Sequence, residues 1–342
     1  MTQTRLSVAI AWLIALLALP APGGAQKSAH KGSRRDAQAQ DAQSPPESIF
    51  DASVEPGALN IFYGPGGKEH APDLNDSFTF VKEDLNESQP KFDVEDAHGT
   101  RWKVKLGQEA KPEVAATRLV WAAGYFVDED YYVDELKVRG LPKLHRGEKY
   151  ASEDGTVHGA RLERKLEGVK KLGKWSWFDN PFVGTREFNG LRVMMALLNN
   201  WDSSTINNSI YEVDGQRRYA VTDLGASFGK TGNSFTRSKG RLKDYVKSKF
   251  IDKTTAQYVD FVMHSHPFFP EVVDGAYYGR RSRIVKVAQH IPRADAKWLG
   301  RRLGQLSERQ IRDCFRAAGY PPQEVDAYAT AVQERIAQLN AL

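Results

Sequence analysis

Two hydrophobic periods divide this chain and hardly mix. Residues 92–95 and 102–106 alternate apolar with polar side chains, and Asp96, Ala97, His98 and Gly99 between them form a hairpin turn. Trp102, Val104 and Leu106 share one face of the second strand, and Lys103 and Lys105 share the other. Residues 78–81, 131–138 and 159–166 read as further strands. Late in the chain the period changes: Val325, Tyr328, Val332, Ile336 and Leu339 fall on one helical stripe. Between these extremes lie a helix over 113–123, with Pro112 in its first turn and Gly124 as its cap, and a largely buried helix over 188–199. Strands over 210–213 and 219–222 flank a turn at Asp214 and Gly215, and from Asp244 onward the pattern is mainly helical. This segregation predicts an α+β fold, a small antiparallel sheet lobe over 49–168 followed by a larger helical lobe over 169–342.

The first 48 residues stand apart. Arg5 precedes an uncharged apolar run over 6–19, which Pro20, Pro22, Gly23 and Gly24 break before Ala25. That order is a secretory signal peptide over 1–25, and the run is too short to cross a bilayer comfortably. Residues 26–48 are polar and read as a disordered leader, with order expected from near Ile49. The expectation is an exported protein, periplasmic or extracellular, with no membrane span after cleavage. Cys314 is the only cysteine, which excludes an intrachain disulfide and a cysteine-based zinc site. With 41% hydrophobic residues the chain can instead fill a core. The net charge of +5, spread along the sequence, suits phosphorylated ligands or an anionic surface and does not establish nucleic-acid binding; no nucleic-acid partner is expected.

The residues that carry chemistry follow one order. Phosphoryl transfer from ATP needs a lysine on the phosphates, an acid to position it, an aspartate to orient the attacking hydroxyl, and oxygen ligands for Mg2+. Lys105 lies on a strand and Glu113 at the start of the next helix. Asp202 and Asn207 follow the buried helix with the spacing D-x-x-x-x-N, and a hairpin then leads to Asp223, Leu224 and Gly225.

These residues, with Ser88, Gln89, Pro90 and Lys91 and the segment 119–124, resemble the protein-kinase-like superfamily, in its atypical HipA-like branch. The resemblance spans about residues 75–230 and implies a two-lobe kinase-like fold that binds ATP and Mg2+. It implies that Ser88, Gln89 and Lys91 cover the phosphates, that Lys105 contacts them and that Glu113 pairs with Lys105. Asp202 becomes the base or hydroxyl-orienting group, and Asn207 and Asp223 the magnesium ligands. The chain departs from the ordinary kinase pattern in lacking G-x-G-x-x-G, in carrying Asn200 and Trp201 where His-Arg stands, and in lacking A-P-E after Asp223. The acceptor is a hydroxyl on an unknown protein or small molecule. A pseudokinase-type binding module and a cell-envelope interaction protein are the alternatives to a working phosphotransferase.

Each residue also has an ordinary structural explanation. Lys105 and Lys103 could both be solvent lysines, Glu113 an acid favoured by a helix N-terminus, and Asp223, Leu224 and Gly225 a turn. His264 and His266 could ligate a metal, yet no useful acid or cysteine accompanies them. Gly64 to Lys68 lacks Walker spacing and reads as a turn, Trp175 and Trp177 as core aromatics, and the basic run 280–283 as a solvated face.

Overall fold

The structure is a computed structural model that describes residues 46–86, 89–232, 236–263 and 283–342. The signal-peptide segment, nearly all of the leader, Ser88, His264, His266, Arg280 and Arg281 lie outside the described residues.

Strands β2 (Phe78–Asp84), β3 (Lys91–Glu95), β4 (Arg101–Leu106), β5 (Asp130–Arg139) and β6 (Thr156–Arg164) close a barrel in the order β2-β3-β4-β6-β5. The β3–β4 turn is built by Asp96. Its Oδ1 accepts the backbone N–H groups of His98 at 3.0 Å and Thr100 at 2.9 Å, its Oδ2 accepts the Trp102 indole N–H, and Gly99 takes φ +82°. Apolar side chains fill the barrel, among them Phe92, Val94, Trp102, Val104 and Leu162. Closure comes from a two-residue parallel contact, Phe78 with Val138 and Thr79 with Arg139. The expected small antiparallel sheet is therefore a barrel with one parallel seam.

The outer face of the barrel sets up the site. Lys91 pairs in register with Lys105, Lys105 with Arg161, and Lys103 with Glu163, so these side chains share the face opposite the barrel core. Lys105 and Arg161 are nonetheless about as buried as the core, at 1% and 2% exposure. The cover includes helix α1 (Ala110–Ala122), which packs on β5 and β6. Lys105 is thus not a solvent lysine. Gly124 ends α1 at φ +99°, and a Cβ there would meet the Phe50 ring at 2.7 Å.

A second sheet has the order β1-β9-β8-β7, from β1 (Glu47–Ser48), β7 (Lys170–Gly173), β8 (Asn208–Val213) and β9 (Gln216–Val221). Asp214 and Gly215 both take positive φ in the β8–β9 turn, as the Asp-Gly pair predicts. β1 runs parallel to β9, so the last residues of the expected leader belong to the fold and order starts slightly before Ile49. The expectation of a mainly helical chain after Asp244 also needs correction. After α3 (Leu242–Lys247) come β10 (Ile251–Thr254) and β11 (Tyr258–Phe261), with β12 (Ile291–Pro292) beside them.

Helices α2 (Arg186–Leu197), α4 (Arg293–Leu303), α5 (Glu308–Ala317) and α6 (Pro322–Asn340) share a large apolar cluster with the inner face of α1. Thr185 caps α2 by accepting the Phe188 N–H, and Ser307 and Gln310 form a capping box on α5. All five stripe residues of α6 are buried. So is Arg335 on that helix, which donates to the Leu197 carbonyl at 2.8 Å and to Asn199 Oδ1 at 2.9 Å. This cation holds the end of α2, from which the chain runs on to Asp202. Trp175 and Trp177 are core residues packed on Phe188, and residues 64–67 are a structural turn whose Gly67 carbonyl accepts the Tyr131 hydroxyl.

Candidate functional site

Residues far apart in sequence meet at the Lys105 ammonium. Its Nζ lies 2.6 Å from Glu113 Oε2, 2.7 Å from Asp223 Oδ1 and 3.3 Å from Glu109 Oε2. β4 supplies the lysine and α1 supplies Glu113 one turn in from its start. Glu109 is the N-cap residue of α1, and the segment after β9 supplies Asp223. An ammonium with no counter-charge at 1% exposure is very costly; three carboxylates repay that cost. Burial works to lower the Lys105 pKa, but Glu113 and Asp223 outweigh it and hold the lysine well above its ordinary value.

The surrounding charges extend the network. Arg161 lies 3.5 Å from Glu113 Oε1 and 2.8 Å from both Asp130 Oδ1 and Glu163 Oε2. Thr117 on α1 donates to Asp130 at 2.9 Å. Lys239 pairs with the other oxygen of Glu109. Burial pushes Glu113 up to about 7 against the pull of Arg161 and Lys105. Asp223 goes the other way: burial raises it, but the Lys105 charge and hydrogen bond win, helped by Lys91 and Arg161, and its pKa falls below the ordinary carboxylate value.

Asp202 and Asn207 form one tight loop. Asn207 Nδ2 donates to the Asp202 carbonyl at 2.8 Å, and Asn200 Oδ1 accepts the Asp202 N–H at 2.9 Å. The Asn207 carbonyl accepts both the N–H and the hydroxyl of Thr222, which ties the loop to the residue before Asp223. Burial raises the Asp202 pKa against the pull of Asn207, and the charges of Asp223 and Glu109 raise it further. Two acids within reach of each other's field are therefore pushed apart, Asp223 towards the permanent anion and Asp202 towards a group that can take a proton.

The backbone here is unusual. Asp223 takes φ +50°, so the left-handed residue of the Asp-Leu-Gly motif is the aspartate and not the glycine. Gly225 is needed for another reason: a Cβ on it would stand 2.6 Å from Cβ of Glu109.

Of the residues expected in the phosphate-covering loop, Gln89 is half-buried and Lys91 is 7% exposed. The Pro90 carbonyl accepts the Leu106 N–H at 3.0 Å, which pins residues 89–91 to the strand end beside Lys105. Sequence reasoning missed Glu109, Arg161 and Lys239.

Oxygen donors suited to a hard cation are present. Glu109, Glu113 and Asp223 bring carboxylate oxygens within 4.8 Å of one another, but the Lys105 ammonium already sits on all three. Asp223 remains 29% exposed at its side chain, and Asn207 spends its amide nitrogen on Asp202, which leaves its oxygen as the metal-binding end. Those two residues fit Mg2+ better than the acidic trio. Beside this network lies a cavity of about 380 Å3, lined by Lys103, Asp128, Glu163, Val169, Tyr211 and Ala220 among others. The Tyr211 hydroxyl bonds Asp128 Oδ1 at 3.0 Å, and burial, with Glu163 and Asp130 nearby, raises the Asp128 pKa.

No protein-family model matches the chain, and no curated protein matches it. Among solved structures it is similar to the crystal structure of a Helicobacter pylori proinflammatory kinase, CtkA. The identity is 10%, over 77% of this chain and 96% of that one, with a TM-score of 0.44. At that score the likeness carries no argument, and the functional reading rests on the side chains above.

Proposed function

We propose that this chain is an atypical, HipA-like member of the protein-kinase-like superfamily. In this reading it binds Mg-ATP between a barrel-bearing lobe and a helical lobe and transfers the terminal phosphate to a hydroxyl acceptor. The single observation that supports it most is the meeting of Lys105, Glu113 and Asp223 at one buried point, with the Asp202–Asn207 loop tied to Asp223. Lys105 is the cation for the phosphates, held in place by Glu113 whether or not nucleotide is bound. Asp223 and Asn207 are the ligands for Mg2+, which when bound neutralises developing charge on the phosphates. Asp202 orients the acceptor hydroxyl and accepts its proton, a role that its raised pKa favours. Gln89 and Lys91 stand at the phosphate end. The cavity beside Lys103, two residues along the same strand face, takes the base. The apolar run over 6–19 supports export, so the chain meets its acceptor in the periplasm or outside the cell.

The test is transfer of labelled terminal phosphate from ATP to the protein itself or to a generic hydroxyl acceptor. Wild type transfers it, and Asp202→Ala binds Mg-ATP but transfers nothing. Binding without transfer in wild type makes the protein a pseudokinase-type module. Absence of both binding and transfer removes the kinase reading.

A further inference from the structure

A second cavity, of about 360 Å3, opens where α1 begins, lined by Gly107, Gln108, Ala110 and Lys111 at that end. Its lining includes Lys111, Lys239, Arg241 and His158 and, among the described residues, no carboxylate. Each of these side chains has a partner elsewhere. Lys111 donates to the Gly319 carbonyl at 2.6 Å. Lys239 pairs with Glu109, and Arg241 lies 3.7 Å from Asp244. His158 lies 3.5 Å from Glu135. None of those carboxylates lines the cavity, so the charged side chains on its wall are all basic, partly offset by the carboxylates behind them.

A further donor waits there. Tyr320 lines the cavity and is 8% exposed, and its hydroxyl has no partner beyond the neighbouring Tyr328 hydroxyl. That hydroxyl lies 3.4 Å from the place a Cβ on Gly240 would occupy, and Gly240 is itself a wall of the cavity. Buried hydroxyls without partners are rare in folded proteins. The first turn of α1, at Ala110 and Lys111, forms another wall and adds the positive end of a 13-residue helix.

We infer that this cavity binds a phosphate group, either inorganic phosphate or the end of a small phosphomonoester. Lys111, Lys239 and Arg241 supply charge, and the Tyr320 hydroxyl supplies a neutral donor. The site touches the Lys105 network through Lys239, which pairs with Glu109, but its other lining residues are distinct from Asp202, Asn207 and Asp223.

The experiment is calorimetric titration of the full chain with inorganic phosphate, with saturating Mg-ATP present and absent. Wild type binds phosphate saturably in both conditions. Arg241→Ala, a largely exposed position that should not threaten folding, weakens binding about tenfold, the loss expected for one charge-assisted contact. Tyr320→Phe weakens it by a smaller factor. A second titration with glycerol phosphate separates the sources: equal or tighter binding assigns an ester, and binding of phosphate alone assigns the inorganic ion. Either result supports the site. Absence of saturable binding, unchanged affinity in Arg241→Ala, or displacement of phosphate by Mg-ATP overturns it.

Discussion

Replacing Lys105 by Met keeps length and apolar stem but removes the charge at the centre of the network. Three carboxylates, from Glu109, Glu113 and Asp223, then share one small volume with their oxygens within 4.8 Å. With an effective dielectric near 20, a unit charge pair at the 2.7 Å Lys105–Asp223 separation is worth about 6 kcal/mol, much of it offsetting desolvation. Removing one partner of such a buried set costs about 3–5 kcal/mol. The deficit depends on pH, and its sign is fixed. The folded pKa of Asp223 lies below its ordinary 3.8, so its contribution is present above that value and disappears as pH falls through the lowered one. Lys105 is held above its ordinary 10.5, so its contribution is complete at pH 8. In the variant the carboxylates take up protons on folding, and stability falls as pH rises. Urea unfolding at pH 8 should show a deficit of about 3–5 kcal/mol, and at pH 5 roughly half of it. A deficit below about 1 kcal/mol at pH 8, or the same deficit at both pH values, refutes the reasoning.

Four further outcomes follow from the same geometry. Glu113→Gln should flatten the pH dependence of stability. The Glu113 carboxyl is raised to about 7, so its stabilising contribution is present below 4.5 and lost as pH rises through about 7. Wild type should therefore lose about 2–4 kcal/mol more than the variant between pH 5 and 8 in the same unfolding assay. Gly225→Ala should lower stability by about 1–3 kcal/mol and weaken nucleotide binding, because the new methyl meets Glu109 at 2.6 Å; thermal melting and calorimetry check both. Transfer by wild type should rise with pH through a pKa above the ordinary 3.8 of an aspartate, since Asp202 acts ionised and its pKa is raised; a flat pH–rate profile counts against that role. Arg335→Met should cost about 1–3 kcal/mol, since it leaves the Asn199 amide oxygen without its donor and takes one donor from the Leu197 carbonyl, which keeps the Tyr245 hydroxyl; urea unfolding measures it.

Period and turn chemistry made much of the fold legible. The β3–β4 hairpin, α1 with its Gly124 stop and the stripe of α6 all stand where the pattern places them. What stayed hidden was what covers each face. Alternation puts Lys105 opposite Trp102 and Val104, but it cannot tell that α1 and the Asp223 segment lie over that side. Arg161 and Glu163 look like solvent positions on a strand for the same reason. Barrel closure was illegible because two residue pairs, about 60 positions apart in the chain, make the seam. The β10–β11 hairpin was missed because Asp252, Lys253 and Thr254 carry no buried side chain, so no alternation marks the strand. At the site, the order of motifs pointed to Lys105, Glu113 and Asp223, which the fold gathers at one point. Glu109 and Lys239 lie in a helix cap and a loop, where charged residues are too common to stand out.

The most direct test of the account is a calorimetric titration of the full chain with ATP, with Mg2+ and without it, on wild type and Asp223→Ala. The account predicts saturable, Mg-dependent binding by wild type and none by Asp223→Ala, whose fold is checked by its melting curve. Wild type that fails to bind, or an Asp223→Ala variant that binds Mg-ATP as well as wild type, contradicts it.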